Sequence, residues 1–526
     1  MGKKVKILFV NPSLRQDAPT KVLPVGLAAV MTFVGESGYK FDLLDIDING
    51  YDDDYVEKYL KENRYDVFLA GSIVTHYKWM KWLTKKIRDY QPEAKIIIGN
   101  SVGGSIPEVF LRNSCADFVV VGEAEFTTVE ILNSIRDNKS YEDIEGMAFI
   151  NKEDKFIKTP HRKACKIDTL PMINWEYFDI KKYFNQDGHS SGAVGLKLDD
   201  KEHPVIMPVS TARGCAFKCS FCHYVFWDDP YRHRSSESIL KEIKRNIEDY
   251  NATYIRFWDD LSFAGLNQAE KLVDAILESG LKFDWSAAIR ADLFGHPRFR
   301  YERRLEVARK FKESGCKMVG YSLETGSPEI LKMMNKRVEV GYFLEQTELL
   351  REAGIPVGTS VVFGYPIETK KTIKQTFDQC LKAKVYPSIG YLLPLPYTGM
   401  YDYAKKHKFI KDEDKYLDSI TERQDFCLNM TQMDQEELMN EIKEGAEKLN
   451  RMLELNLSSD RLVKTGGYRN HRKETSANTS KSRLDPDNLK RNENDFSFNY
   501  TEALFEEEIS TQIENQNIID KKISNC

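Results

Sequence analysis

The sequence predicts an α/β fold: a doubly wound parallel sheet, then a partial six-unit βα barrel, then a helical C-terminal segment. Three observations carry this reading. Five short apolar runs alternate with charged helical patterns over residues 1–140. Six more such runs alternate with helices from about residue 204 to 400. The chain then turns helical over 406–456, with no further strand pattern.

In the first series the strands read as Val5–Val10, Phe41–Ile46, Asp66–Ile73, Ala94–Gly99 and Asp117–Gly122, and helical patterns such as Tyr77–Tyr90 and Thr127–Arg136 separate them. Ligands of such sheets bind at the carboxyl ends of strands, where the strand order reverses. Those ends carry Asn11-Pro-Ser13, Gly71-Ser-Ile-Val-Thr75, Gly99-Asn-Ser-Val-Gly-Gly104 and Gly122-Glu-Ala-Glu125. Glycines and small hydroxyls let the backbone approach a large flat ligand. The order matches no G-x-G-x-x-G fingerprint, which argues against a nicotinamide dinucleotide. Residues 141–200 read as a connecting segment and contain Leu170-Pro-Met-Ile-Asn-Trp175.

The second series, the core of residues 201–405, has strands at Val205–Ser210, Tyr254–Trp258, Phe283–Ala288, Met318–Leu323, Val357–Phe363 and Ser388–Leu393. Its helices read as Ser236–Tyr250, Gln268–Ser279, Arg304–Ser314, Phe343–Ala353 and Thr372–Lys384. Ser235 and Ser236 suit a helix start, while Gly280, Gly315 and Gly354 suit helix stops. Successive right-handed βα units curl into a barrel whose functional face lies at the strand carboxyl ends. Residues 457–526 read as a mostly disordered polar tail with one helix near Thr501–Ile519.

At 526 residues the chain has room for two or three domains. A net charge of −5 with interspersed acids and bases argues against general nucleic-acid binding. No apolar stretch is long enough to span a bilayer, and Met1–Val10 runs directly into a strand without a signal-peptide pattern. Gly2 does not begin a myristoylation pattern. Six of the nine cysteines are scattered without disulfide-like spacing, so a reducing, cytoplasmic protein is expected.

The other three cysteines, Cys215, Cys219 and Cys222, lie within eight residues in a C-x3-C-x2-C loop after the first barrel strand. Thiolates are soft ligands for iron–sulfur clusters or zinc. Three ligands leave one position of a four-iron cluster open, which chemistry on a bound substrate requires. His203 or His223 could instead complete a Cys3His zinc site, giving a non-catalytic metal-binding protein. On the fourth strand, Gly320-Tyr-Ser-Leu-Glu-Thr-Gly326 turns Ser322 and Glu324 to one face, where a carboxylate suits ribose hydroxyls. Alone it equally fits a solvated strand end. Arg290 ends the third strand and offers a planar fork for a carboxylate, or a surface charge. Tyr224, Phe226, Trp227 and Trp258 fit either a substrate pocket or the core.

The cysteine spacing with Phe221, the Glu324 strand, Phe257-Trp-Asp-Asp260, Gly364-Tyr-Pro366 and Pro394–Gly399 resemble the radical S-adenosylmethionine (SAM) superfamily over residues 204–410. The first series, notably Leu23-Pro-Val-Gly-Leu27 and Asp117–Glu125, is similar to the Rossmann-like cobalamin (B12)-binding domain preceding the partial (β/α)6 TIM-type barrel in cobalamin-dependent members. The resemblance implies a 4Fe-4S cluster on Cys215, Cys219 and Cys222, acting as catalytic ligands. It implies SAM contacts at Phe221, Asp259, Arg290, Ser322 and Glu324, and cobalamin contacts at Ser72, Thr75, Gly99, Gly103, Gly122 and Glu123. The implied reaction is reductive SAM cleavage and methylation of an unactivated carbon of a small-molecule or lipid-like substrate, with flavodoxin or ferredoxin as electron donor. An oxidative cyclase or rearrangement enzyme is the alternative. A D-x-H-x-x-G lower-ligand motif is absent, and His76 is the lone histidine before residue 150. It could lie near the corrin or be a polar loop residue.

Overall fold

The computed structural model describes residues 4–13, 21–184, 204–420, 426–457 and 462–463, all within one compact unit spanning residues 1–483. The expected polar tail with its Thr501–Ile519 helix, and His203, lie outside the described residues.

Seven strands form the first sheet: β1 (Ile7–Asn11), β2 (Phe41–Asp45), β3 (Val67–Gly71), β4 (Lys95–Gly99), β5 (Phe118–Val120), β6 (Met147–Ile150) and β7 (Phe156–Lys158). Their order is β2-β1-β3-β4-β5-β6-β7, the first five parallel and the last two antiparallel. The sheet therefore continues past residue 140, and part of the expected connecting segment supplies its edge. The strand order reverses between β1 and β3, which places Asn11–Ser13 and Ser72–His76 at the crevice that such sheets use for ligands. Alternate residues feed opposite faces: Phe9, Leu69 and Ile97 enter one apolar core, and Leu8, Phe68 and Ile98 enter the other. The helix Tyr77–Tyr90 buries Tyr77, Met80, Leu83, Thr84 and Ile87, a spacing of three and four that forms one stripe.

The second half begins with β8 (Ile206–Val209), followed by β9 (Ala212–Arg213) and β10 (Arg232–His233), which pair antiparallel with Arg213 opposite Arg232. Then come β11 (Tyr254–Phe257), β12 (Asp284–Ala288), β13 (Cys316–Gly320), β14 (Val357–Gly358), β15 (Ser360–Phe363) and β16 (Ser388–Tyr391). β8 and β11 to β14 form one parallel sheet, β15 and β16 another, and a parallel bridge between Glu324 and Val361 joins them. The expected fifth strand is thus broken at Thr359. The expected fourth strand leaves the ladder after Gly320, and Glu324 takes a left-handed φ of 64°. The helix Ser236–Tyr250 is capped by the Ser235 hydroxyl on the Ser238 amide, and Gly280 ends the next helix at φ 68°.

The C-terminal helices tie the halves together. Tyr77 donates to Asp414 at 2.6 Å, and Lys81 pairs with Asp414 and Asp418. The helix Gln435–Met452 lies against Lys370–Lys382, where a Cβ on Gly445 would stand 2.3 Å from the Phe377 ring. Only glycine permits that approach.

Candidate active site

The cysteine loop is pinned from several sides. At its entrance Asp259 accepts from the Thr211 amide (2.8 Å), the Thr211 hydroxyl (2.7 Å) and the Ala212 amide (3.0 Å). Within it, the Ser220 amide donates to Met334 O at 2.8 Å, Asn335 donates to Lys218 O, and the Met400 amide donates to Ser220 O. Tyr224 donates to the carbonyls of Cys215 and Phe217. Cys219 is buried, and Cys215 and Cys222 are half-buried. Burial pushes the Cys215 thiol up to about 11, with Cys219 adding to the rise and Arg290 opposing it. A metal binds such thiols by displacing their protons. Among the described residues no three His, Cys, Asp or Glu side chains converge as ligands of one ion. Three neighbouring thiols are a donor set that suits a four-iron cluster with one iron left without a protein ligand.

The SAM residues suggested by the sequence fall into one connected group, with one exception. Glu324, 6% exposed, pairs with Lys336 at 2.7 Å. Burial works against the Lys336 charge, but Glu324 and then Cys219 outweigh it and raise its pKa. Lys336 also lies 5.9 Å from the Phe221 ring, which meets Tyr365 edge-on. Arg290 is no surface residue: it is 8% exposed, stacks 3.3 Å from the Phe217 ring centre and donates to Asp292 and to Lys336 O. Ser322 shares a hydrogen bond with Ser360 at 2.6 Å. The exception is Asp259, whose carboxylate is used inside the fold, holding residues 211–212. The neighbouring Asp260 is the exposed acid of that strand end, and its charge is felt at Cys215.

At the sheet edge the suggested residues separate into different tasks. Ser72 meets His76 Nδ1 at 3.1 Å, and Thr75 is buried. Burial holds His76 down near pKa 3, so it is neutral, and its ring stacks on Trp79 at 4.8 Å. Gly99 has open space on its Cβ side, as a ligand-facing position requires. Gly103 does not: a Cβ there would stand 2.9 Å from Val119, so glycine serves packing on β5. Gly122 has φ 82° and faces His161. The Glu123 carboxylate pairs with Arg232 and Arg213 rather than standing open. A small cleft is lined by Asn100, Ser101 and Gly122 from this edge and, from the other side, by His223, Tyr224 and Trp227, which follow Cys222.

Comparison with known proteins accounts for both halves. The profile of the Radical SAM superfamily matches residues 209–380, and that of the B12 binding domain matches residues 14–132. The chain carries a radical SAM domain and a B12-binding domain. Among relatives of this radical SAM chain, an uncharacterised methyltransferase of Pyrococcus horikoshii is 24% identical over 76% of this chain and 83% of its own length. An anaerobic magnesium-protoporphyrin IX monomethyl ester cyclase of Cereibacter sphaeroides is 21% identical over 78% of this chain and 66% of its own. The fold is similar to that of the radical SAM methyltransferase TsrM from Kitasatospora setae, solved with cobalamin and a 4Fe-4S cluster bound. The TM-score is 0.62 at 16% identity, covering 78% of this chain and 79% of that one.

Several polar residues of this radical SAM chain escaped the sequence reading. Lys336 lies in the run after the Glu324 strand, Arg213 stands two residues before Cys215, and Arg232, His161 and Asp229 face the sheet edge. The available signal was charge placement: arginines flank the cysteine loop, and two acids follow Gly122. Of the candidate pocket aromatics, Tyr224 is buried under the loop, Phe226 and Trp227 are half-buried, and Trp258 is 37% exposed. Among the described residues no helix is long and apolar enough to cross a membrane.

Proposed function

We propose that the chain is a cobalamin-dependent radical SAM methyltransferase acting on a carbon of a small-molecule substrate. The observation that carries this reading is a cleft lined on one side by the carboxyl edge of a doubly wound sheet and on the other by residues within 223–228, which directly follow the three-cysteine loop. The methyltransferase names of the Pyrococcus relative and of TsrM support it.

When bound, the cluster with SAM supplies reductive one-electron cleavage, and cobalamin supplies a transferable methyl group. The chain's own residues bind, orient and shield. Cys215, Cys219 and Cys222 would hold a 4Fe-4S cluster by three thiolates, so that one iron would have no protein ligand and could bind SAM. Glu324, oriented by its ion pair with Lys336, accepts from the ribose hydroxyls beside Ser322. Arg290, fixed by Asp292 and Phe217, offers positive charge to the SAM carboxylate. Phe221 with Tyr365 forms an apolar wall for SAM. Ser72, Thr75, Gly99 and Gly122 shape the corrin edge, and the half-buried Trp227 narrows the mouth against water.

A second reading, ring formation without methyl transfer, is favoured by the cyclase relative. Anaerobic reconstitution with cobalamin and SAM carrying a labelled methyl group separates the two. Labelled methyl on the bound cobalamin is expected; its absence, with SAM still cleaved, would favour the cyclase reading.

A further inference from the structure

We propose that a buried ion cluster formed by Glu123, Glu125, Arg213 and Arg232 is a positioning clamp that sets the separation of the two loops carrying the cofactors. The inference rests on the function proposed above but concerns a different set of residues. Arg213 Nη2 pairs with Glu125 Oε1 and Arg213 Nη1 reaches Glu123 Oε1 at 3.4 Å. Arg232 pairs with the same Glu123 oxygen and donates to Cys165 O at 2.6 Å, while the Cys165 thiol meets Glu123 Oε2 at 3.5 Å. Both carboxylates belong to the sheet domain and both guanidinium groups to the hairpin that brackets the cysteine loop. Side-chain exposure is 7% and 6% for the acids and 13% and 15% for the arginines.

The connections to the two loops are short. Gly214, at φ 81°, is the one residue between Arg213 and Cys215, and it makes the turn into the cysteine loop. Gly122, at φ 82°, lines the cleft and is bonded directly to Glu123. Any shift between Arg213 and the acids is therefore passed to both sides of the cleft within two residues. Pairing β9 with β10 sets Arg213 opposite Arg232, and like charges so placed repel unless anions stand between them. The hairpin is compatible with its own sequence only when the sheet edge supplies Glu123 and Glu125. Buried ion pairs add little net stability, because desolvation offsets their attraction; their best-attested role is fixing register. His161 and Asp229, 2.9 Å apart, repeat the arrangement beside it.

The test uses full-length chain with spin labels on unnatural amino acids at the exposed positions Lys139 and Lys244, one on each half. Dipolar distances are measured with and without reconstituted cofactors. The unsubstituted clamp is expected to give one narrow distance. Arg213→Gln or Glu125→Gln is expected to broaden it by several ångströms, and the swapped pair Arg213→Glu with Glu125→Arg to narrow it again. Should Arg213→Gln not fold, Arg213→Lys keeps the charge but loses the two-pronged contact and is expected to broaden the distance partway. An unchanged distribution in the folded variants overturns the clamp. Because the distance is also read without cofactors, a chain that takes up no cobalamin would count against the proposed function and leave the clamp independently judged.

Discussion

The barrel mouth and the sheet edge differ in chemistry. At the barrel mouth the side chains are long, charged and already tied to one another: Glu324 to Lys336, Arg290 to Asp292 and Phe217, Asp259 to the loop entrance. At the sheet edge the residues at the strand ends are small: Ser72, Gly99, Ser101 and Gly122. A zwitterionic nucleoside and a metal cluster call for fixed charges, whereas a broad flat ring with an amide rim calls for room and peptide groups. The difference implies that single substitutions should act strongly on the barrel side and mainly through packing on the sheet side.

The largest expected effect is from Cys219→Ala. Loss of one iron ligand should abolish SAM cleavage and lower iron content, with cobalamin uptake retained; cleavage near the unsubstituted rate would break the assignment of the loop. Next is Glu324→Gln. A neutral amide should weaken SAM binding about ten- to a hundredfold, roughly 1–3 kcal/mol, read by equilibrium binding. Lys336→Met should instead lower stability, because Glu324 would remain buried without its partner. On the sheet side, Gly103→Ala forces a Cβ against Val119 and should cost about 1–3 kcal/mol in denaturant unfolding and reduce cobalamin uptake. SAM cleavage should persist, and losing it as well would blur the contrast between the two sides.

The smallest effect concerns Glu368, 1% exposed, just after β15. Burial raises its pKa to about 7, against the hydrogen bonds from Thr372 and the Gly364 amide. Its folded pKa lies above the unfolded value near 4.5, so the folded state holds the proton more tightly. Stability contributed by this group is present below pH 4.5 and is lost as pH rises to about 7. Glu368→Gln should flatten that decline and be about 2–3 kcal/mol more favourable, relative to the parent, at pH 8 than at pH 5. Parallel pH profiles for parent and variant would show that the carboxyl is ordinary.

Long periodic elements were legible in the sequence because apolar spacing specifies them locally. β4 lies within the expected run, and the helix Ser236–Tyr250 has its expected limits. The cysteine triplet stands out in the sequence because its three thiols are neighbours in the chain. The two-residue strands β9 and β10 carry no period to detect, and β6 and β7 join the sheet from a segment rich in turns. The break at Thr359 and the left-handed Glu324 leave no trace in the apolar pattern of their strands. The resemblance implies a SAM contact at Asp259, yet its carboxylate accepts from residues 47 and 48 positions away. The clamp joins residues 88 and 109 apart, a pairing that only the packed domains create.

The central claim is that Cys215, Cys219 and Cys222 hold a cluster with one iron open to SAM. Electron–nuclear double resonance on the reduced, reconstituted chain with SAM labelled with 15N at its amino group reads that iron directly. A nitrogen coupling that appears with labelled SAM and vanishes in Cys219→Ala is the predicted result. A chain that reconstitutes with zinc, or a reduced cluster showing no coupling to SAM, would contradict it.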